Sequence, residues 1–142
     1  MLKCLIDTDI LSEIGKGVDR HVRENAIRYL DEHQILTFTS ISVYEVLYGL
    51  RSKVATKQAQ RFLMLASAHE EIVPDSDDYR LAAEIRAQMQ LAGTEIGKAD
   101  PIIAACALRR DLTMVTGNMK HYQFVADAGF PLRLSNWRNA VD

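Results

Sequence analysis

Apolar and polar positions follow one another in short blocks along this chain. LKCLI (2–6) is an apolar run that ends on the polar triplet Asp7-Thr8-Asp9. A run that short reads as a buried strand with the triplet at its carboxyl end. Ile10, Leu11 and Ile14 then suggest a short helix stopped by Gly15 and Gly17. Val18, Val22, Ala26, Tyr29 and Leu30 recur at the spacing of an amphipathic helix running to His33. ILTFTS (35–40), rich in β-branched and aromatic residues, predicts a second strand. Ser40 or Ser42 can cap the next helix, and Ser42 with Glu45 has capping-box spacing, which gives Glu45 one purely structural job. Gly49 stands near the end of that helix, and Arg51, Lys53 and Lys57 lead into another helix through His69. EIV (71–73) predicts a third strand and Pro74-Asp75-Ser76 a helix entry. Leu81, Ala82, Ile85, Met89 and Ala92 then line one helical face up to Gly93.

The stretch GKADPIIAACALRRDLTMVTGN (97–118) is the most informative. Asp100 before Pro101 marks a helix start, with a carboxylate at the N-cap and a proline where no N–H is needed. Residues 102–108 are apolar on every side of that helix, so it belongs in the interior. Arg109 and Arg110 complement the negative end of its dipole, and LTMV (112–115) reads as a buried strand closing at Thr116-Gly117-Asn118. The pattern ends with a short helix around 119–125 and a last strand within PLRLSNW (131–137).

Strands that alternate with helices over short connections predict an α/β fold with a parallel sheet covered on both faces. In such sheets the ligand crevice lies beyond the carboxyl ends of the strands. Asp7 and Asn118 follow strands directly, while Glu45 and Asp100 sit on helices that begin at the same edge. Three carboxylates and an amide therefore converge on one place.

Composition narrows the chemistry. The chain has 142 residues, 48% hydrophobic and 25% charged, as expected of one soluble domain (1–142). No apolar run is long enough to cross a bilayer and no signal-peptide pattern opens the chain, so a cytoplasmic location is expected. Cys4 and Cys106 sit in apolar runs and read as core residues. A net charge of −2 argues against a general nucleic-acid coat protein but leaves room for a local basic patch. There is no GxxxxGK[ST] or GxGxxG motif, and no Ser/His/Asp arrangement. Clustered carboxylates repel one another; a divalent cation removes that problem, and oxygen-only donors suit Mg²⁺ or Mn²⁺. Such ions act mostly on phosphate esters. Of the four histidines only His121 lies near the acids in sequence, with contact to substrate and simple packing equally open.

LIDTDILSE, SISVYEVLYG (40–49), GTEIGKADPIIAACAL and LTMVTGNMKHYQFV, taken in order and spacing, resemble a PIN-domain ribonuclease over almost the whole chain. Within that family the chain is most similar to the VapC-type toxins of toxin–antitoxin modules. The resemblance implies a three-layer α/β/α fold with a central parallel sheet of about four to five strands. By position it assigns Asp7, Glu45 and Asp100 to the metal-binding, catalytic acids. Asp7 and Asp100 would hold Mg²⁺ or Mn²⁺, and Glu45 would position or deprotonate the attacking water. The expected reaction is hydrolysis of an RNA phosphodiester. Asp9 stands where the family often has Asn. Asn118 stands where some members carry a fourth acid, so a second metal would bind more weakly or need substrate. Thr116 and Ser40 resemble residues that orient acids or a phosphate. The resemblance also implies a homodimer and a cognate antitoxin that covers the acidic cleft. RNA needs basic flanks, for which Lys98, Lys120, Arg51 and Lys53 are the candidates, with Lys57 and Arg61 in the same basic segment; a solvated helix face is the competing reading for each.

Two rivals differ in class. DTD after a strand and Lys98 before Asp100 loosely mimic haloacid-dehalogenase phosphatases, with Asp7 as nucleophile. However, Leu11 replaces the usual threonine, and Glu45 is left without a role. The other rival is a degenerate PIN scaffold that binds without catalysis.

Overall fold

A computed structural model describes residues 1–141; residue 142, the last of the expected domain, lies outside the described residues. The elements run β1 (Cys4–Ile6), α1 (Thr8–Lys16), α2 (Arg20–His33), β2 (Thr37–Thr39), α3 (Ser40–Ser52), α4 (Thr56–Ser67), β3 (Glu70–Ile72), α5 (Ser76–Leu91), α6 (Asp100–Arg109), β4 (Thr113–Val115), α7 (Met119–Asp127) and β5 (Leu134–Ser135). Every strand pairing is parallel. β4 lies between β1 and β5, with Leu5 opposite Met114 and Met114 opposite Leu134; β2 pairs with β3, Phe38 opposite Glu71. The five strands thus form two hydrogen-bonded sheets, of three and two strands, brought side by side where β1 meets β2.

Strand alternation sorts the core into two layers. Leu5 and Met114 face α5, α6 and α7, packing on Ile85, Met89, Ile103 and Val125. Cys4, Ile6 and Val115 point the other way, into Ile10, Leu11, Tyr29, Phe38, Val46 and Phe62 from α1 to α4. Successive side chains of a strand project to opposite faces, so three residues of β1 serve both cores. α6 is buried from Ile103 to Ala107, as its uniformly apolar sequence requires. Cys4 and Cys106 are both buried and unpaired. Among the described residues, no helix is long and apolar enough to cross a membrane.

Several boundaries move for identifiable reasons. α1 runs through Gly15 and ends only at Gly17, whose φ of 68° supplies the left-handed cap. α2 starts at Arg20 because the Asp19 side chain accepts from the Val22 N–H, leaving Val18 outside and exposed. The cap of α3 is Thr39, whose hydroxyl accepts from the Ser42 N–H, so the Ser42–Glu45 capping box is not formed and Glu45 is released from that job. Asp75 and Asp78 do form a capping box at the start of α5.

Asp100 is corrected in the same way. It is the first residue of α6, the cap position is Ala99, and no side chain caps that terminus. The carboxylate that resembled an N-cap is therefore not holding the helix end. Arg109 and Arg110 do more than complement a dipole. Both donate to Asp78, which has no exposed surface, Arg109 through Nη1 at 2.9 Å and Arg110 through Nη1 and Nη2 at 2.9 and 3.0 Å.

Candidate active site

The carboxyl end of β1 delivers Asp7 to the floor of a cleft. Asp7 is 5% exposed and fully engaged: Thr8 N–H donates to Oδ1 at 2.8 Å and Thr116 Oγ1 donates to Oδ2 at 2.8 Å. Thr116 follows β4 and in turn accepts from the Asn118 N–H at 2.9 Å. The β1–β4 pairing therefore sets the acid and its hydroxyl partner side by side. Burial, followed by the Asp9 and Asp100 charges, pushes the Asp7 carboxyl up to about 7 against these hydrogen bonds.

Asp9 has a separate role. Its Oδ2 accepts from the Gly117 N–H at 2.9 Å and its Oδ1 from the Ile10 N–H at 2.8 Å, tying α1 to the turn after β4. The turn leaves no room for a side chain at Gly117, where a Cβ would stand 2.5 Å from Asp9 Oδ2. Arg138, near the end of the chain, approaches Asp9 at 4.0 Å and Glu13 at 3.7 Å. Burial raises the Asp9 carboxyl too, opposed by Gly117, Ile10 and Arg138.

Glu45 reaches the cleft from α3 and is held by hydroxyls. Thr8 Oγ1 donates to Glu45 Oε1 at 2.6 Å, and Thr8 Oγ1 lies 2.9 Å from Ser42 Oγ. With the Thr8 proton committed to Glu45, Ser42 donates to Thr8 and accepts from Thr39 Oγ1 at 3.5 Å. Thr8 and Ser42 went unnoticed as site residues in the sequence. The signal was there only for Thr8, inside the DTD triplet.

Asp7, Glu45, Asp100, Asp9 and Asn118 all line one cavity of about 390 Å³, together with Thr8, Ser12, Lys16 and Lys53. The convergence read from the sheet edge is therefore present. Lys16 was missed, although Asp9, Ser12 and Lys16 follow helical spacing along one face of α1. Asn118 turns its amide toward His121, Nδ2 lying 2.9 Å from Nδ1, and His121 Nδ1 is 4.0 Å from Asp100 Oδ2. Ser40 does not join the cluster: its hydroxyl donates to Glu71 Oε2 at 2.7 Å on the far side of the α3 start. Of the basic candidates, Lys53 lines the acidic cavity. Lys98 lines a neighbouring one of about 720 Å³, with Arg86, Gln90, Thr94 and His121. Arg51 and Lys120 line neither and are exposed.

Tyr122, one helical turn beyond Asn118, also escaped notice. It is wholly buried, yet its hydroxyl makes no hydrogen bond among the described residues. Burial first, and then the charges of Asp7 and Asp100, hold its phenol well above the ordinary value.

The donor set is oxygen-only and rich in charge, which suits a hard divalent cation. Among the described residues no three His, Cys, Asp or Glu side chains form a ready cage for an ion. Mg²⁺ and Mn²⁺ do not require one: they are commonly held by one or two carboxylates, with water and phosphate completing the shell. A carboxylate buried among like charges, as Asp7 is, fits that use.

A family model described as PIN domain matches residues 4–125. The VapC ribonuclease Y4jK of Sinorhizobium fredii is 30% identical over 129 residues, covering 84% of this chain and 89% of that protein. The tRNA(fMet)-specific endonuclease VapC of Salmonella typhimurium is 25% identical over 138 residues, covering 96% and 99%. A solved structure of DNA-bound VapBC from Salmonella typhimurium superposes with a TM-score of 0.75 at 27% identity, covering 96% of this chain and 99% of that one.

Proposed function

The chain belongs to the PIN-domain family, among its VapC-type ribonucleases, and on that premise we propose a divalent-metal-dependent endoribonuclease acting at the Asp7–Glu45–Asp100 cleft. One observation carries the reading: three acids from three separate elements line one cavity, and Asp100 and Glu45 have no capping task to explain them.

Asp7 and Asp100 are the residues that would hold Mg²⁺ or Mn²⁺. When bound, such an ion supplies neutralising charge for the phosphate and makes a coordinated water more acidic. The protein's own contribution is positional. Thr116 and Thr8 N–H fix both oxygens of Asp7, and the Thr39–Ser42–Thr8 hydroxyl chain fixes Glu45 where it can orient or deprotonate the attacking water. Lys16 and Lys53 at the cavity, and Arg86 and Lys98 beside it, offset the acidic field that would repel RNA. The phosphatase alternative loses its lysine, since Lys98 lines the neighbouring cavity, and its second aspartate, since Asp9 is bound to backbone N–H groups.

The partner proposed is a cognate antitoxin that offers Arg or Lys to the same carboxylates, in line with the VapBC assembly this chain superposes on. A homodimer is proposed with it. The test is cleavage of RNA in Mn²⁺ by purified wild type and by Asp7→Asn, Glu45→Gln and Asp100→Asn. Wild type is expected to cut internally, each variant to lose at least a hundredfold, and co-expressed antitoxin to suppress the wild-type activity. Full activity in Asp100→Asn overturns the site, and activity that persists beside the antitoxin removes that partner.

A further inference from the structure

The acidic cavity and its larger neighbour meet at Asp100, and His121 stands where they meet. Asn118 lines the acidic cavity, His121 the one of about 720 Å³. His121 Nδ1 is 4.0 Å from Asp100 Oδ2. A Cβ on Gly97, which also lines the larger cavity, would stand 3.7 Å from the same oxygen. A nucleic-acid strand with one phosphate at the acids can therefore carry the next one past Asp100 into the larger cavity.

Asn118 occupies the cap position of α7 without capping it; its amide Nδ2 instead lies 2.9 Å from His121 Nδ1. With the amide donating, Nδ1 accepts and the ring carries its proton on Nε2. Nε2 makes no hydrogen bond among the described residues, so it remains a donor to spare. The Asn118 N–H in turn donates to Thr116 Oγ1 at 2.9 Å, the hydroxyl that donates to Asp7, which ties this imidazole to the acids. Arg86 and Lys98 line the same cavity, and neither side chain has an ion pair or hydrogen bond among the described residues; Glu95 is the one carboxylate on that wall. Two uncommitted cations supply attraction for a phosphate, and a fixed N–H supplies direction.

We propose that His121 binds substrate, its Nε2 donating to an RNA phosphate next to the scissile one, with Lys98 and Arg86 neutralising that phosphate and Asn118 positioning the imidazole. The inference rests on the endoribonuclease reading above. It goes beyond that reading by assigning a second phosphate subsite and by giving Asn118 a task other than metal ligation. An amide suits the task, because a carboxylate at 118 has no N–H to give to Nδ1.

The experiment uses a short RNA whose cut site has been mapped with wild type. It is compared with the same RNA carrying a neutral methylphosphonate at the phosphate on one side of the cut or the other. Wild type is expected to lose about tenfold in kcat/KM, mainly through KM, at one of the two positions. His121→Ala should lose about as much on natural RNA and feel that methylphosphonate several-fold less. His121→Gln, which keeps a distal N–H, should recover most of both the activity and the sensitivity. Asn118→Ala should shift both in the direction of His121→Ala. A methylphosphonate penalty of equal size in wild type and His121→Ala overturns the proposal, because a merely structural histidine lowers activity on every RNA alike. So does a wild type indifferent to both substitutions. A full penalty in Asn118→Ala overturns the positioning role of Asn118. If wild type cuts no RNA, the endoribonuclease reading falls and the subsite with it; if it cuts but the penalty is not coupled to His121, only the subsite fails.

Discussion

Asp7 shows how burial of a single cleft residue couples its ionisation to stability. Its carboxyl has an ordinary value near 4, and in the fold burial and neighbouring charge raise it to about 7. A group raised on folding lends its full stability below the unfolded value and loses it as pH climbs through the folded one. Metal-free protein should thus lose stability from about pH 4 to pH 7 and level off above, by an amount on the order of 2–4 kcal/mol. Asp7→Asn removes that titration. Urea denaturation in chelator should find the variant more stable than wild type at pH 8 and nearly equal to it near pH 4.5. A difference that is the same at both pH values would show that Asp7 titrates normally. Asp9, by contrast, is a clip between α1 and the Gly117 turn, so its carboxylate serves geometry first.

At the scale of elements, α5 and α6 are locked by charge as well as by apolar packing. Asp78 is wholly buried; burial alone would raise its carboxyl, but hydrogen bonds donated by Arg110, the Asp75 N–H and Arg109 outweigh that and hold it well below the usual carboxylate range. Its contribution is present above the ordinary carboxylate value and fades only in strong acid. Removing one member of such a network leaves buried charge uncompensated. Asp78→Ala is expected to cost about 3–5 kcal/mol in chemical denaturation at pH 7. A loss under 1 kcal/mol would mean that the guanidinium groups relax into solvent, as their partial exposure permits. Because α6 carries Asp100, the same variant should loosen the acidic cleft while leaving Asp7 in place.

On the whole-molecule scale the question is how an acidic cleft on a chain of net charge −2 attracts RNA. The cavity of about 720 Å³ beside it offers the path, with Arg86 and Lys98 outnumbering Glu95 on its walls and His121 shared with the Asp100 side. Arg86→Ala and Lys98→Ala should raise KM for RNA several-fold with kcat held. In an Asp7→Asn background they should lower the slope of log affinity against log salt by about 0.7 for each cation removed. Unaltered slopes in both would place the strand elsewhere, with Lys16 and Lys53 as the next cations to remove.

Sequence by itself determined the order of strands and helices, the buried α6 and the two core cysteines, and it pointed to three acids that the fold brings to one cavity. All of these follow from local hydrophobic period and from residue chemistry at element ends. It also suggested Asp100 as a cap, a Ser42–Glu45 capping box and Ser40 at the site. Those readings fail because a side chain's partner depends on what lies across the fold: Thr39 takes the cap of α3, Glu71 takes Ser40, and Asp100 is left free for the cleft. Thr116 beside Asp7, Thr8 on Glu45 and Asp78 between two arginines join residues up to 109 positions apart. Only the parallel pairing of β1 with β4, and the packing of α6 and α7 against them, decides such contacts. No periodicity within one element carries information about the residue that tertiary structure will set opposite it.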